Sequence, residues 1–246
     1  RSLVVDYTME IYNYVSGGSW YPGFWEDWSD KHRATMTFVH DDDVEVRAVG
    51  TCTSTSEEGG VVTEVWSVDE PTTMVAFSFG KRYREEVVEL DGVPRVVVFG
   101  RRGSVGTGNM VKNVAVDVAK SLHFFQWYFD TPLEADQIDV TRIAGGHGQA
   151  FEGFIHLSNW AFDAEHAGAS ELFRAHEAAH QFWGHRVSWR SYRDQWLSEA
   201  LAEYSAMLFV QATMPDSGYF DEILKVYTAQ QKGTLSGAMS RFARPW

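Results

Sequence analysis

Residues 176–184 read His176-Glu177-Ala178-Ala179-His180-Gln181-Phe182-Trp183-Gly184, and the rest of the chain is best understood outward from them. On an α-helix, positions four apart differ by about 40° around the axis, so His176 and His180 share a face and both imidazoles can reach one ion. A helix also gives the rigid support a tetrahedral site needs, because zinc–nitrogen distances tolerate only a few tenths of an ångström. The pattern predicts a helix from Ser170, read as its N-cap, to about Gly184, with both histidines near its middle. The same spacing also occurs in ordinary surface or core histidines, so a third ligand decides between the two.

A catalytic zinc of the thermolysin type takes two His and one Glu and leaves the fourth position to water. Residues 181–198, eighteen in all, separate His180 from Glu199, which opens the helical run Ser198-Glu199-Ala200-Leu201-Ala202-Glu203-Tyr204. That interval lets the chain leave the first helix, turn through His185 to Asp194 and return antiparallel, so that Glu199 faces the histidine pair. Glu177 follows the first ligand directly and projects toward the open position, where it would take a proton from zinc-bound water and return it to the leaving amine. Its bland alternative is a solvated helix residue. The expected site is therefore one Zn2+ on His176, His180 and Glu199, with Glu177 as base. Glu203, one turn beyond Glu199, can accept a hydrogen bond from a ligand imidazole and fix its tautomer, and Asp194 competes for that role. His185, near the helix end, is read as structural.

Composition bounds the remainder. The 246 residues, 44% hydrophobic, suffice for one large domain or two moderate ones. The net charge of −13 opposes binding to a polyanion such as nucleic acid. Cys52 is the single cysteine, which excludes an intrachain disulfide and a thiolate zinc site. No run of about 18 apolar residues suggests a membrane span. The opening Arg1-Ser2-Leu3 has neither an initiator Met nor a signal-peptide layout, so the chain is expected to begin inside a longer protein. The compartment stays open.

The first hundred residues read as β-structure. Val5, Tyr7, Met9 and Ile11 alternate with mostly polar neighbours. Strand candidates follow at Ala34 to Val39, Val44 to Thr53, Val61 to Ser67, Met74 to Phe79 and Glu85 to Leu90, the last joined to Val93 to Phe99 through an Asp91-Gly92 turn. The glycines Gly103, Gly106 and Gly108 fit no phosphate-loop fingerprint and read as a linker. Beyond them Met110, Val111, Val114, Val118 and Leu122 recur at helical spacing, and strands are expected at Gln137 to Ile143 and Ala150 to Leu157. Further helices are expected at Ser198 to Thr213 and Tyr219 to Lys232.

The stretch 176–184 and the later Asp194-Gln195-Trp196-Leu197-Ser198-Glu199-Ala200 together resemble the gluzincin zinc metallopeptidases of the aminopeptidase N type. Trp20-Tyr21-Pro22 and Phe77-Ser78-Phe79-Gly80 look like closing strands of that family's N-terminal β-domain. The resemblance implies an α+β protein: residues 1–105 as the latter part of an antiparallel β-domain, and 106–246 as a mainly helical, thermolysin-like catalytic domain, truncated at its C-terminus. It implies a peptide or protein substrate, while the charge and the lack of a long apolar run argue against nucleic acid and against membrane contact in this segment. The family's oxyanion-stabilising Tyr would fall beyond Trp246, with Tyr219 and Tyr227 read as packing residues of the last helix.

The family also carries a Gly-Ala-Met-Glu-Asn strand whose Glu binds the substrate's amino terminus. Here that stretch resembles Gly148-Gln149-Ala150-Phe151-Glu152-Gly153. One register puts Ala150 at the anchor position and leaves Glu152 two residues away on the same strand face, whereas the other puts Glu152 itself there. Gln149 and Glu152 are the candidate substrate contacts, Glu152 having an exposed strand carboxylate as its bland alternative. His147 and His156 lie near this strand and either line the cleft or serve packing. An aminopeptidase-like zinc peptidase is the expected function, with an endopeptidase variant or a catalytically impaired zinc-bearing scaffold as alternatives.

Overall fold

The computed structural model describes residues 14–15, 20–21, 31–101, 107–144, 146–162 and 168–232. Its strands are β1 (Tyr14–Val15), β2 (His32–Asp41), β3 (Glu45–Ala48), β4 (Thr51–Glu58), β5 (Val61–Thr72), β6 (Phe77–Gly80), β7 (Tyr83–Val88), β8 (Arg95–Arg101), β9 (Gln137–Ile143), β10 (Gln149–Phe151) and β11 (Phe154–Ser158). Its α-helices are α1 (Thr107–Tyr128), α2 (Ala169–Ala179), α3 (Gln195–Thr213) and α4 (Tyr219–Lys232). Strands and helices together make an α+β fold, as expected. The proposed strand through Val5 to Ile11 lies outside the described residues.

Two small antiparallel sheets form first, in the orders β2-β5-β4 and β1-β6-β3. The single strand expected over Val44 to Thr53 is two: at Val49-Gly50 the chain passes from one sheet to the other, so β3 pairs with β6 and β4 with β5. The hairpin expected at Asp91-Gly92 is present, closed by the Val93 N–H on the Leu90 carbonyl at 3.1 Å.

A five-stranded sheet, ordered β10-β11-β9-β8-β7, carries the rest. Its inner pairs β8–β9 and β9–β11 are parallel and its outer pairs antiparallel. This sheet draws β7 and β8 from before residue 105 and β9 to β11 from after it, so the hydrogen-bonded unit starts at Tyr83 rather than at the glycine-rich stretch. Local sequence could not reveal this, because parallel pairing of β8 with β9 spans the whole of α1.

Both faces of the sheet are covered. On one side Val96, Val98, Ile138, Val140, Ile155 and Leu157 meet the apolar stripe of α1, which runs Val111, Val114, Val118, Leu122 and Phe125 at three- and four-residue spacing. On the other, Phe151 and Phe154 join Met36, Trp66 and Phe77 of the small sheets and Val75 between β5 and β6. Polar groups meet in this second layer where Ser78 Oγ lies 2.8 Å from Thr141 Oγ1 and 3.0 Å from His156 Nε2. Burial pushes the His156 imidazole down to about 3, with the neighbouring His147 adding to the effect, so it is a neutral packing residue.

Helices α2 and α3 pack through small side chains. Ala175, Ala178 and Ala179 on α2 and Ala202 and Ala206 on α3 are all fully buried. Small residues let two helix backbones approach closely, and this closeness brings carboxylates on α3 within reach of imidazoles on α2.

A candidate metal centre on two helices

α2 is shorter than its sequence pattern suggests. Gly168, not Ser170, is its N-cap, and the Gly168 N–H donates to the Glu171 carboxylate. At the other end the helix stops at Ala179, with His180 as C-cap, five residues before Gly184. Tertiary ties bring it to this early end. The backbone tightens as Gln181 N–H and Phe182 N–H bond the carbonyls three residues back, and the Gln181 side chain leaves for the β10–β11 hairpin. There its amide donates to the Phe151 carbonyl (2.9 Å) and accepts from the Gly153 N–H (3.0 Å). The histidines therefore sit at the C-terminal end of α2, where the helix dipole is negative and favours a cation.

The structure brings His176, His180 and Glu199 together. Their ligating atoms all lie within 4.8 Å of one another. The Nε2 atoms of the two histidines are 3.1 Å apart, and each lies 3.4 Å from Glu199 Oε2. Ligands about 2.1 Å from a tetrahedral ion are about 3.4 Å from each other, so these three atoms already span one face of such a tetrahedron.

The opposite ring nitrogens fix the tautomers. His176 Nδ1–H donates to Glu203 Oε2 (2.9 Å), and His180 Nδ1–H donates to the Trp183 carbonyl (2.8 Å). With both rings neutral, the two Nε2 lone pairs, 3.1 Å apart, face one position that a cation can occupy. The donor set fits zinc, for which imidazole and carboxylate are normal ligands.

Electrostatics agree. Burial alone would lower the His176 imidazole, but hydrogen bonds to Glu199 and Glu203 and the charge of Glu177 raise it to about 10. Burial would lift Glu199, yet His176 and His180 hold it below the usual carboxylate range. Three carboxylates around two imidazoles make a site that demands positive charge. Glu177 is almost fully buried. Burial first, then the charges of Glu199 and Glu203, raise it against the pull of the two histidines.

Other sequence expectations fare differently. Glu203, not Asp194, is the carboxylate on the imidazole; Asp194 lies at the start of α3 and accepts from Ser191 Oγ at 2.9 Å. His185 is held by burial and the His180 charge at about 4, with its ring bonded to the Ala150 backbone, so it is not a fourth ligand. Glu152 is not on a strand face at all. β10 ends at Phe151, and Glu152 with Gly153, whose φ is +71°, forms the two-residue turn to β11. Period-2 alternation stops there, and the Glu152 carboxylate is hydrogen-bonded to Thr72 of β5. Gln149 shares the Phe151 face, opposite to that of Ala150, which packs with the helices.

Three features escaped the sequence reading: the Gln181 clamp, the contact of Gly148 with Glu177, and the hydroxyl of Tyr227. The Tyr227 phenol donates to Glu203 Oε1, so it does more than pack. Only the helical spacing of Tyr219, Ile223 and Tyr227 hinted that it faces inward.

Fold and site together define an α+β protein with a His-His-Glu group that could hold a metal ion. The peptidase family M1 domain matches residues 115–241, more than half of the chain. The chain belongs to peptidase family M1. It is 28% identical over 170 residues to aminopeptidase M1-C of Oryza sativa subsp. japonica, an alignment covering 65% of this chain and 19% of that protein. It is 30% identical over 116 residues to endoplasmic reticulum aminopeptidase 2 of Homo sapiens, covering 44% of this chain and 12% of that protein. With leucyl aminopeptidase of Saccharolobus solfataricus it shares 26% identity over 175 residues, 67% of this chain and 22% of the relative. The chain thus spans about a fifth of the length of these relatives or less.

Proposed function

We propose that this chain carries the metal centre of an aminopeptidase-like zinc metallopeptidase, with His176, His180 and Glu199 holding the ion and Glu177 acting as base. The observation that carries the reading is the set of three ligand atoms at 3.1–3.4 Å, with both imidazoles oriented through Nδ1. Zinc bound there would supply Lewis acidity, polarising the scissile carbonyl and lowering the pKa of water toward about 7. Glu177 takes the proton from the attacking water and delivers it to the leaving amine. Glu203 keeps the His176 ring in register, and burial of Glu177 excludes competing solvent.

The substrate is a peptide or protein lying along β10. β10 is an edge strand of the five-stranded sheet, and an extended peptide can add to such an edge by main-chain hydrogen bonds. Gly148, just before β10, lies against Glu177, which supports a substrate on that edge next to the proposed base. The unit from Tyr83 onward is, on this reading, a thermolysin-like catalytic domain. No helix among the described residues is long and apolar enough to cross a membrane.

A second reading, cleavage without need of a free amino terminus, has one observation in its favour: Glu152 lies in a turn bonded to Thr72. The test uses the full-length protein with peptides whose amino termini are free or acetylated. Glu177→Gln should keep its zinc and lose hydrolysis by about 100- to 10,000-fold; undiminished turnover would remove Glu177 from the mechanism. Loss of activity only on acetylated peptides supports an aminopeptidase, and equal cleavage of both supports the second reading.

A further inference from the structure

α4 reaches the metal centre through Tyr227. Its inward side chains recur at Tyr219, Ile223 and Tyr227, spaced by four residues along one face. Tyr219 covers Gly168 at the start of α2, where an added Cβ would lie 2.9 Å from the Tyr219 ring. Two turns later, the Tyr227 hydroxyl donates to Glu203 Oε1. The other oxygen of the same carboxylate, Oε2, accepts the His176 Nδ1–H at 2.9 Å. The chain of contacts runs from α4 to α3 to α2 and ends on a ligand atom.

We propose that Tyr227 is a positioning residue of the metal site, locking the Glu203 carboxylate so that Oε2 stays aimed at His176 Nδ1 and Nε2 stays aimed at the ion. This rests on the reading of His176 as a metal ligand. A glutamate side chain has three rotatable bonds, and one hydrogen bond to the imidazole leaves the carboxylate free to pivot about it. A second bond, on the other oxygen, removes that freedom. Burial raises the Tyr227 phenol first, and the Glu203 charge raises it further, so it remains a protonated donor. Glu203 accepts on both oxygens, from the Tyr227 hydroxyl at Oε1 and from His176 Nδ1–H at Oε2. Partners behind a ligand typically change metal affinity by about 10- to 100-fold, and Tyr227 stands one bond further out.

The experiment measures Zn2+ affinity by chelator competition in the full chain, for the unaltered protein, Tyr227→Phe, Glu203→Ala and the double variant. Far-UV circular dichroism checks that each folds. Tyr227→Phe should weaken zinc roughly 3- to 10-fold, and this effect should vanish in the Glu203→Ala background. The downfield proton NMR signal of the His176 Nδ1–H in the zinc-loaded protein should exchange faster in Tyr227→Phe, which loss of packing alone would not cause. An unchanged affinity and exchange rate in Tyr227→Phe, or an equal effect with and without Glu203, overturns the proposal while leaving the metal site standing. Failure of the unaltered chain to bind zinc overturns the metal reading itself.

Discussion

Gly148 lies directly against Glu177: a Cβ at this glycine would come within 2.4 Å of Glu177 Oε1 and 2.5 Å of Phe173 Cζ. No real Cβ tolerates such contacts, so any side chain here displaces the carboxylate or the strand. Gly148→Ala should therefore keep zinc binding yet reduce kcat in the full-length protein by roughly 100-fold, the scale of a 1 Å misplacement near the chemistry. Zinc content by atomic absorption and steady-state kinetics on the same sample check this, and full activity in the variant would contradict the contact.

Metal removal offers an independent check of the ligand set. An ion that binds only the folded state stabilises it by about 4 kcal/mol at a free concentration 1,000 times Kd. Thermal melts of the chain should shift upward with zinc and downward with a chelator. In His176→Ala or Glu199→Ala the zinc-dependent shift should disappear, whereas it should persist in Glu177→Gln.

The short motif around His176 was legible because ligand spacing on a helix is a local property, and Glu199 followed from the length of one return. Helix ends were not, since α2 stops where Gln181 leaves to bond Phe151 and Gly153, partners about thirty residues earlier in sequence. The break between β10 and β11 hid inside the single strand read from Ala150 to Leu157, although Gly153 marks it. The allegiance of β7 and β8 to the later sheet was invisible for the same reason as Tyr227: pairing across long separations leaves no local period.

Asp139 gives a stability prediction with a definite sign. It is almost fully buried on β9, and burial raises its carboxyl to about 6, against a hydrogen bond from Gln137 and the nearby Arg47. Between its ordinary value of 3.8 and about 6 the folded state binds more protons than the unfolded one, so this group's contribution to stability falls as pH rises through that window. Asp139→Asn should stabilise the protein by on the order of 2–3 kcal/mol at pH 7.5, with the gain shrinking as pH approaches 4. Urea unfolding at several pH values tests it, and a gain that does not vary with pH would disprove the titration.

Arg174 holds α2 to its surroundings from within. Its side chain is 1% exposed, donates from Nε to the Ala161 carbonyl at 2.8 Å and pairs through Nη1 with Asp117 of α1 at 2.5 Å. Burial raises Asp117 even with Arg174 beside it. Arg174→Met leaves that carboxylate and the carbonyl without their partner and should cost about 3–5 kcal/mol. The double variant Arg174→Met with Asp117→Leu should regain much of the loss in chemical denaturation. Equal destabilisation by single and double variants would mean that the pair does not act as a unit.

The Gln181 amide gauges the height of the gap between strand and helix. It gives a proton to Phe151 and takes one from Gly153 at the same time, which neither a carboxylate nor an ammonium can do. The β10–β11 hairpin and the end of α2 are thereby riveted into one body. Whatever lies in that gap meets walls of fixed spacing, and widening it requires breaking both bonds of a single side chain.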